Sequence, residues 1–342
     1  MKISIIGTGN FGFALAYHLS KKYAGVENIN LMACDSNKEL ITYLQNHKMH
    51  LYHFKNKKIS GDITFTLDKK RAAHDADVVI LSVSSQATRE AIHEIKNNLK
   101  EDTIILNTAK ALEIGTAKTF YEVVKEELKS TSVRYYIAKL SGGTFAVDIV
   151  NAAPLGADIA CEQRVALKKI QSIIHSSNLR IYGNTDVIGV EYAGAFKNII
   201  AIFAGIIHGL GLPYGSETHI ISRAAKEAAA IACKFGAKSH TFSMGSQCWG
   251  NDLWMSCTGQ SRNREFGRII GDGKSVKKAL TILQKEHKLV EGYYTVKVIP
   301  MLCKKAKVEA PIFNEIYKMI YENKKPSESI EYLMNRNVEY IE

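Results

Sequence analysis

The chain has 342 residues, of which 46% are hydrophobic and 23% charged. That profile excludes a disordered or fibrous protein and leaves room for two domains with separate cores. The net charge is +11, but the lysines are scattered. With no dense basic block and no aromatic-interleaved motif, nucleic acid is not the expected partner. A lysine-rich surface, with a positive field suited to a phosphorylated substrate, is the reading.

The chain opens MKISIIGTGN. No basic stretch precedes this short apolar run, so no signal peptide is expected. Lys2–Ile6 is a predicted strand and Ala14–Lys22 a predicted helix. Further strands are expected at Ile29–Ala33, Ile63–Phe65, Val78–Ser82, Thr103–Asn107, Tyr135–Leu140, Ala157–Ala160 and Leu179–Tyr182. Helices such as Thr88–Leu99 and Thr116–Leu128 fall between them. This alternation predicts an α/β fold with a doubly wound, mainly parallel sheet.

Beyond Gly183 only helical patterns follow: Val187–His208, Ser216–Phe235, Val276–Lys285, Gly292–Lys305 and Pro311–Glu322. The expected organisation is a Rossmann-like domain over residues 1–185 and an all-helical domain over residues 186–342. Ala193–Leu212 is apolar for most of its length. Lys197 interrupts it, and a lysine at the centre of a bilayer is costly. A buried helix is therefore expected rather than an integral membrane segment. The cysteines at 34, 161, 233, 248, 257 and 303 form no C-x-x-C pair and no zinc-like cluster, so no metal site is predicted. They read as reduced thiols of a cytoplasmic protein.

Gly7-Thr8-Gly9-Asn10-Phe11-Gly12 fits G-x-G-x-x-G. It follows a strand and opens an alanine-rich helix, the context a dinucleotide-binding loop requires. Gly7 permits the tight turn, Gly9 lets the pyrophosphate approach, and Gly12 lets helix and strand pack closely. The second strand ends at Cys34-Asp35. An acidic residue there binds the adenosine ribose and favours NAD over NADP, although Asp35 equally suits capping the next helix.

Reduction of a carbonyl needs a proton donor and a group that steadies the developing oxyanion. Lys197, inside EYAGAFKNIIAIFAGI, suits acid–base work, because burial lowers a lysine pKa; a lysine that snorkels to solvent is the alternative. Lys110, in NTAKALE, follows a strand at the edge where α/β enzymes place ligands. Ser141-Gly142-Gly143-Thr144 follows another strand and offers backbone N–H groups and hydroxyls to an anion. Ser261-Arg262-Asn263-Arg264 offers guanidinium groups to a phosphate, or is a solvated turn.

Taken together, the chain resembles the bacterial-type NAD(P)-dependent glycerol-3-phosphate dehydrogenase family from Met1 to about Pro326. The matching stretches are GTGNFGFALA, NTAKALE, LSGGTFA, DVIGVEYAGAFKNIIAIFAGIIHGLG, NDLWMSCTGQSRNREFG, VEGYYT and PIFNEIYKMIYENKKP. The resemblance implies reversible reduction of dihydroxyacetone phosphate to sn-glycerol 3-phosphate with NAD or NADP, feeding glycerophospholipid synthesis, and a homodimer. Lys197 would be the general acid/base, oriented by Asp252. Lys110 would bind substrate and polarise its carbonyl, reaching the cofactor too. Gly142 and Thr144 would contact the substrate, and Ser261, Arg262 and Asn263 would hold its phosphate, Arg262 also reaching the dinucleotide. Asn10, Phe11, Cys34, Ala146, Leu289 and Glu291 would line the cofactor site.

The chain departs from the family pattern at some positions. Gly143 stands where proline is usual, and Asn251 replaces the usual glycine before Asp252. Cys34 stands where a basic residue or histidine often selects the cofactor. A looser loop at Gly143 and the changed segment after Gly211 would suit a paralogue acting on another small phosphorylated or carboxylated hydroxy compound. A dinucleotide sensor without turnover is the reading from another class, and both lysines argue against it.

Overall fold

The computed structural model describes residues 1–337, so residues 338–342 of the expected second domain lie outside the described residues. The first half alternates strands and helices: β1 Lys2–Ile6, α1 Asn10–Lys22, β2 Asn30–Cys34, α2 Lys38–His47, β3 Thr64–Thr66, α3 Lys69–Ala73, β4 Val78–Leu81, α4 Thr88–Ile95, β5 Thr103–Asn107, α5 Phe120–Glu127, β6 Tyr135–Ser141, α6 Ala146–Val150, β7 Leu155–Cys161, α7 Arg164–Ile174 and β8 Leu179–Asn184. The strands form one sheet in the order β3-β2-β1-β4-β5-β6-β7-β8. β1 therefore lies where the chain turns from one side of the sheet to the other, and a ligand crevice opens at such a point.

The sheet is parallel except between β6 and β7, which run antiparallel. The link between them holds only the five-residue α6. At about 1.5 Å per residue that helix cannot recross the length of a seven-residue strand. The chain turns back instead, and β7 returns against the end of β6.

Helices fill the second half: α8 Val187–Gly209, α9 Tyr214–Lys234, α10 Asp252–Thr258, α11 Arg262–Gly271, α12 Val276–Lys285, α13 Glu291–Val296, α14 Ile299–Ala306, α15 Pro311–Tyr321 and α16 Pro326–Met334. The single helix expected over Gly292–Lys305 is two, because Pro300 can sit only in the first turn of a new helix. The helix expected from Thr116 begins at Phe120, where Thr119 and Glu122 form a capping box.

The apolar α8 is long enough to cross a membrane, yet its apolar window is entirely buried within the protein. It forms the central rod of the helical half. Gly205 and Gly209 on α8 face Gly267 and Gly271 on α11, and a Cβ on any of them would strike backbone atoms of the other helix within 2.3 Å. This backbone-to-backbone contact fixes the start of α11 beside α8. One apolar cluster joins Ile6, Val79 and Ile105 of the sheet to Val190, Phe196 and Ile199 of α8, so a face of the sheet and the helices share a core.

Candidate active site

The glycine loop has the geometry its three glycines require. Gly7 adopts φ +95°, and a Cβ there would lie 2.6 Å from the Ser82 carbonyl at the end of β4. A Cβ on Gly12 would lie 1.9 Å from the Gly7 oxygen, so the helix sits directly on the turn. At Gly9 an added Cβ meets nothing within 4 Å. α1 carries no acidic residue in its first turn and no side-chain cap. Its exposed N–H groups thus fit a pyrophosphate. Asn10 is exposed at this helix start, Phe11 is half-buried beside it, and Ala146 opens the short α6 that packs on α1.

Asp35 does not cap α2; Asn37 does, accepting from the Leu40 N–H. The Asp35 carboxylate instead accepts from the Thr8 N–H at 2.7 Å and from its hydroxyl. It therefore lies against the dinucleotide loop itself. The Cys34 side chain points away, fully buried in the core, and burial pushes its thiol pKa up to about 12. Only its carbonyl takes part, accepting from the Gly7 N–H. Cys34 is corrected from a cofactor contact to a core residue.

His50, which sequence reasoning passed over, braces the same loop. Its Nδ1 accepts from the Tyr52 and His53 N–H groups, and its Nε2 donates to the Thr8 carbonyl at 3.1 Å. Burial, reinforced by His53, pushes its pKa down to about 4, so it stays neutral in this role. Nearby, Tyr52 stacks on His287 at 5.6 Å. That contact draws the segment before α13, with the exposed Leu289, towards the N-terminal half.

The two lysines meet at Asp252. Lys197 Nζ lies 2.9 Å from one carboxylate oxygen and Lys110 Nζ 2.7 Å from the other. Asp252 is fully buried and Lys197 nearly so. Lys197 therefore does not snorkel; it turns into the protein and also donates to Ser256 Oγ at 2.7 Å. Burial lowers the Lys197 pKa, opposed by Asp252 and aided by the Lys110 charge. Burial pushes Asp252 the other way, but the two lysines outweigh it and hold its carboxyl below the usual value.

Lys110 also donates to the Gly142 carbonyl at 2.7 Å. The 141–144 loop thus contributes a carbonyl that holds Lys110. Thr144 is buried and its N–H donates to that same carbonyl. Gly194 lies beside the Lys110 stem; a Cβ there would crowd Ser141 Oγ at 3.0 Å and meet Lys110 Cγ at an ordinary contact distance of 3.4 Å. Asn198, also missed, donates to the Lys110 carbonyl at 2.8 Å.

The two departures at 143 and 251 turn out to touch. A Cβ on Gly143 would lie 2.9 Å from both amide atoms of Asn251, whose Nδ2 donates to Gln247 Oε1 at 2.8 Å. The Asn251 side chain fills the space beside the loop, so the loop is not slack. A π-helical turn over Gln247–Asn251 leads into Asp252 and is tied to β7 through the Cys248 N–H and Asp158.

Ser261 is the N-cap of α11; it accepts from the Arg264 N–H and donates to the Ser256 carbonyl. Its hydroxyl thus braces the start of α11. Asn263 accepts from the Gly292 N–H at 3.0 Å, which seats α13 and Glu291 near Lys197. Arg264 turns back to Glu217 at 3.0 Å, whereas Arg262 is exposed at the first turn of α11. SRNR is thus a capped helix start rather than a turn.

Residues 2–167 match the N-terminal family model of NAD-dependent glycerol-3-phosphate dehydrogenase, and residues 186–331 the C-terminal one. Curated relatives named glycerol-3-phosphate dehydrogenase [NAD(P)+] include one from Clostridium botulinum, 34% identical over 98% of this chain and 97% of its own length. Another, from Thermoanaerobacter, is 34% identical over 98% of each chain. The crystal structure of glycerol-3-phosphate dehydrogenase from Coxiella burnetii superposes with a TM-score of 0.88 at 26% identity, covering 98% of this chain and 99% of that one. The chain belongs to the NAD-dependent glycerol-3-phosphate dehydrogenase family.

Proposed function

We propose that this family member reversibly reduces dihydroxyacetone phosphate to sn-glycerol 3-phosphate with NADH or NADPH. The observation that carries the reading is the pair of lysines sharing buried Asp252 beside an open dinucleotide loop. Gly7, Gly9, Asn10, Phe11 and Gly12, with Ala146, Leu289 and Glu291, would hold the dinucleotide. When bound, the reduced nicotinamide supplies the hydride.

The chain's own groups supply the rest. Lys110 Nζ, aimed by the Gly142 carbonyl and Asp252, polarises the C2 carbonyl of the substrate. Lys197 Nζ delivers a proton to that oxygen, and its lowered pKa makes the proton easier to give. Gly142 and Thr144 form the wall beside the substrate. The Arg262 guanidinium, with Asn263 and the N–H groups opening α11, grips the phosphate. Burial of Asp252 and Lys197 keeps water from the proton transfer. Residues 1–185 would thus carry the cofactor and residues 186–342 most of the substrate site. Asp35 beside the loop disfavours a 2′-phosphate and supports a preference for NAD.

Supply of the product to glycerophospholipid synthesis, a cytoplasmic location and a homodimer belong to the same proposal. The free cysteines support a reducing compartment. A paralogue acting on another hydroxy compound loses its main motive, because Asn251 fills the space left at Gly143. Purified protein should oxidise NADH with dihydroxyacetone phosphate and not with neutral dihydroxyacetone. Lys197→Ala should lower kcat on the order of a hundredfold or more while NADH binding holds. Unchanged turnover in that variant would remove Lys197 from the chemistry.

A further inference from the structure

Behind the two lysines lies a second, fully buried polar cluster. Lys139 on β6 is fully buried, and Glu191 on α8 is 1% exposed. They form an ion pair at 3.3 Å. The Asn107 amide at the end of β5 donates to the other Glu191 oxygen at 3.1 Å. Asn107 Oδ1 accepts from the Ala109 N–H at 3.0 Å, and Lys139 Nζ donates to the Ala109 carbonyl. The contacts close into a ring: Ala109, Asn107, Glu191, Lys139 and back to Ala109.

Ala109 is the residue before Lys110. Its N–H is held by one member of the ring and its carbonyl by another. The preceding Thr108 is tied to the Leu81 carbonyl through both its N–H and its hydroxyl. The Lys110 carbonyl is held in turn by Asn198. Three consecutive residues are thus fixed to β4, β5, β6 and α8 before the Lys110 side chain begins.

A buried ion pair is a poor source of stability, because desolvating both charges offsets their attraction. Burial pushes the Lys139 pKa down and the Glu191 pKa up, and each shift is opposed by the other's charge. What the pair does offer is geometry. With Asn107 it joins two strands and a helix at fixed polar atoms, where an apolar contact would let them slide.

We propose that Asn107, Lys139 and Glu191 are positioning residues that clamp the Ala109 peptide and so fix where Lys110 presents its ammonium to the substrate. This inference rests on the reductase reading above. Glu191 also lies on the helix that carries Lys197 and Asn198, six and seven residues on. The ring therefore sets the spacing between the two lysines as well as the path of the loop.

The test compares the wild-type chain with two variants. The double variant Lys139→Met/Glu191→Gln removes both charges together, because either single change strands a buried charge. Asn107→Ser opens the ring at an uncharged member and leaves the ion pair. Turnover with dihydroxyacetone phosphate, NADH affinity by fluorescence, thermal melting, and the isotope effect with NADH deuterated at the transferring position are measured.

Misplacing Lys110 should lower kcat about tenfold or more, since small errors in aim are costly in the chemical step. NADH affinity should stay within about twofold. The isotope effect on kcat should rise as hydride transfer becomes slower. A merely structural role would lower melting and the active fraction and leave the isotope effect where it was; that outcome overturns the proposal. So does unchanged kcat in well-folded Asn107→Ser. If the wild-type chain shows no turnover with dihydroxyacetone phosphate, the functional reading falls first and the inference with it.

Discussion

Replacing Gly143 by alanine tests how the substrate loop is held. The new Cβ would lie 2.9 Å from Asn251 Oδ1 and Nδ2, closer than a methyl group tolerates, so the amide must swing away. It cannot do so freely. Asn251 Nδ2 is bonded to Gln247 Oε1 at 2.8 Å, and Gln247 Oε1 itself packs on Gly156 with no room for a Cβ. The movement therefore breaks one partly buried hydrogen bond, worth about 1 kcal/mol. That is roughly fivefold in affinity if loop placement and substrate binding are coupled. Gly143→Ala should raise KM for dihydroxyacetone phosphate about fivefold, and Asn251→Gly should raise it by removing the brace. The double variant should recover most of the loss, because the alanine methyl occupies the vacated space. Steady-state NADH oxidation over a range of substrate concentrations measures all four corners of the cycle. Strictly additive effects, with the double variant worse than either single one, would refute the packing argument.

Further consequences concern charge and pH. Ser256 accepts a hydrogen bond from the protonated Lys197; losing an acceptor disfavours the charged form. Ser256→Ala should move the alkaline limb of kcat for reduction to lower pH. An unmoved limb would detach Ser256 from the titration. Glu227 accepts from the Ile312 and Phe313 N–H groups at the start of α15, and burial pushes its pKa from 4.5 to about 7. A carboxyl raised in the folded state favours folding while protonated. Its contribution is complete below 4.5 and is lost as pH rises through about 7. The melting temperature should fall across that window, and Glu227→Gln should flatten the fall; equal slopes would exclude Glu227 as the cause. Gly12→Ala should abolish dinucleotide binding, because its methyl has 1.9 Å to the Gly7 oxygen, and retained NADH binding would contradict that account.

The central strands were legible because each is a short apolar run buried on both faces, whereas the edge strand β8 alternates buried and exposed residues. The glycine loop was legible because three separate steric demands fall at fixed spacing. α8 was legible as buried because it is apolar all round, and Lys197 stood out for that reason. Glu191 carried the same signal on the same helix, as did Lys139 within YYIAKLS: a charge inside a run with no solvent face needs a partner. Pairing the two required knowing that β6 lies over the start of α8, which no local pattern encodes. α10 and α11 were hidden because their segment mixes Asn, Asp, Ser, Thr, Gly and Arg. Their apolar stripes are short, Phe266, Ile269 and Ile270 on α11 and Leu253 with Cys257 on α10, and α11 leans in addition on its Ser261 cap and its glycine contact with α8. The π-helical turn before Asp252 and the meeting of Gly143 with Asn251 are likewise set by long-range packing.

The sharing of one aspartate by two lysines follows from what burial allows. Two ammonium groups around one shared carboxylate leave positive charge that Asp252 alone does not balance. In the proposed reduction that charge steadies the oxygen as negative charge develops on it. When Lys197 has given its proton, Lys110 and Asp252 remain as a matched pair and no buried charge is left alone. Removing Asp252 would strand two like charges next to one another, and removing Lys110 would leave Asp252 and Lys197 neutralising each other with nothing over for the oxyanion. The arrangement also explains why the supports run so deep. Positive charge carried on two flexible side chains acts on the reacting oxygen of the proposed reaction only if both are aimed. Gly142, Ser256 and Asn198 hold these lysines at one remove, and the ring at Ala109 holds one of them at two.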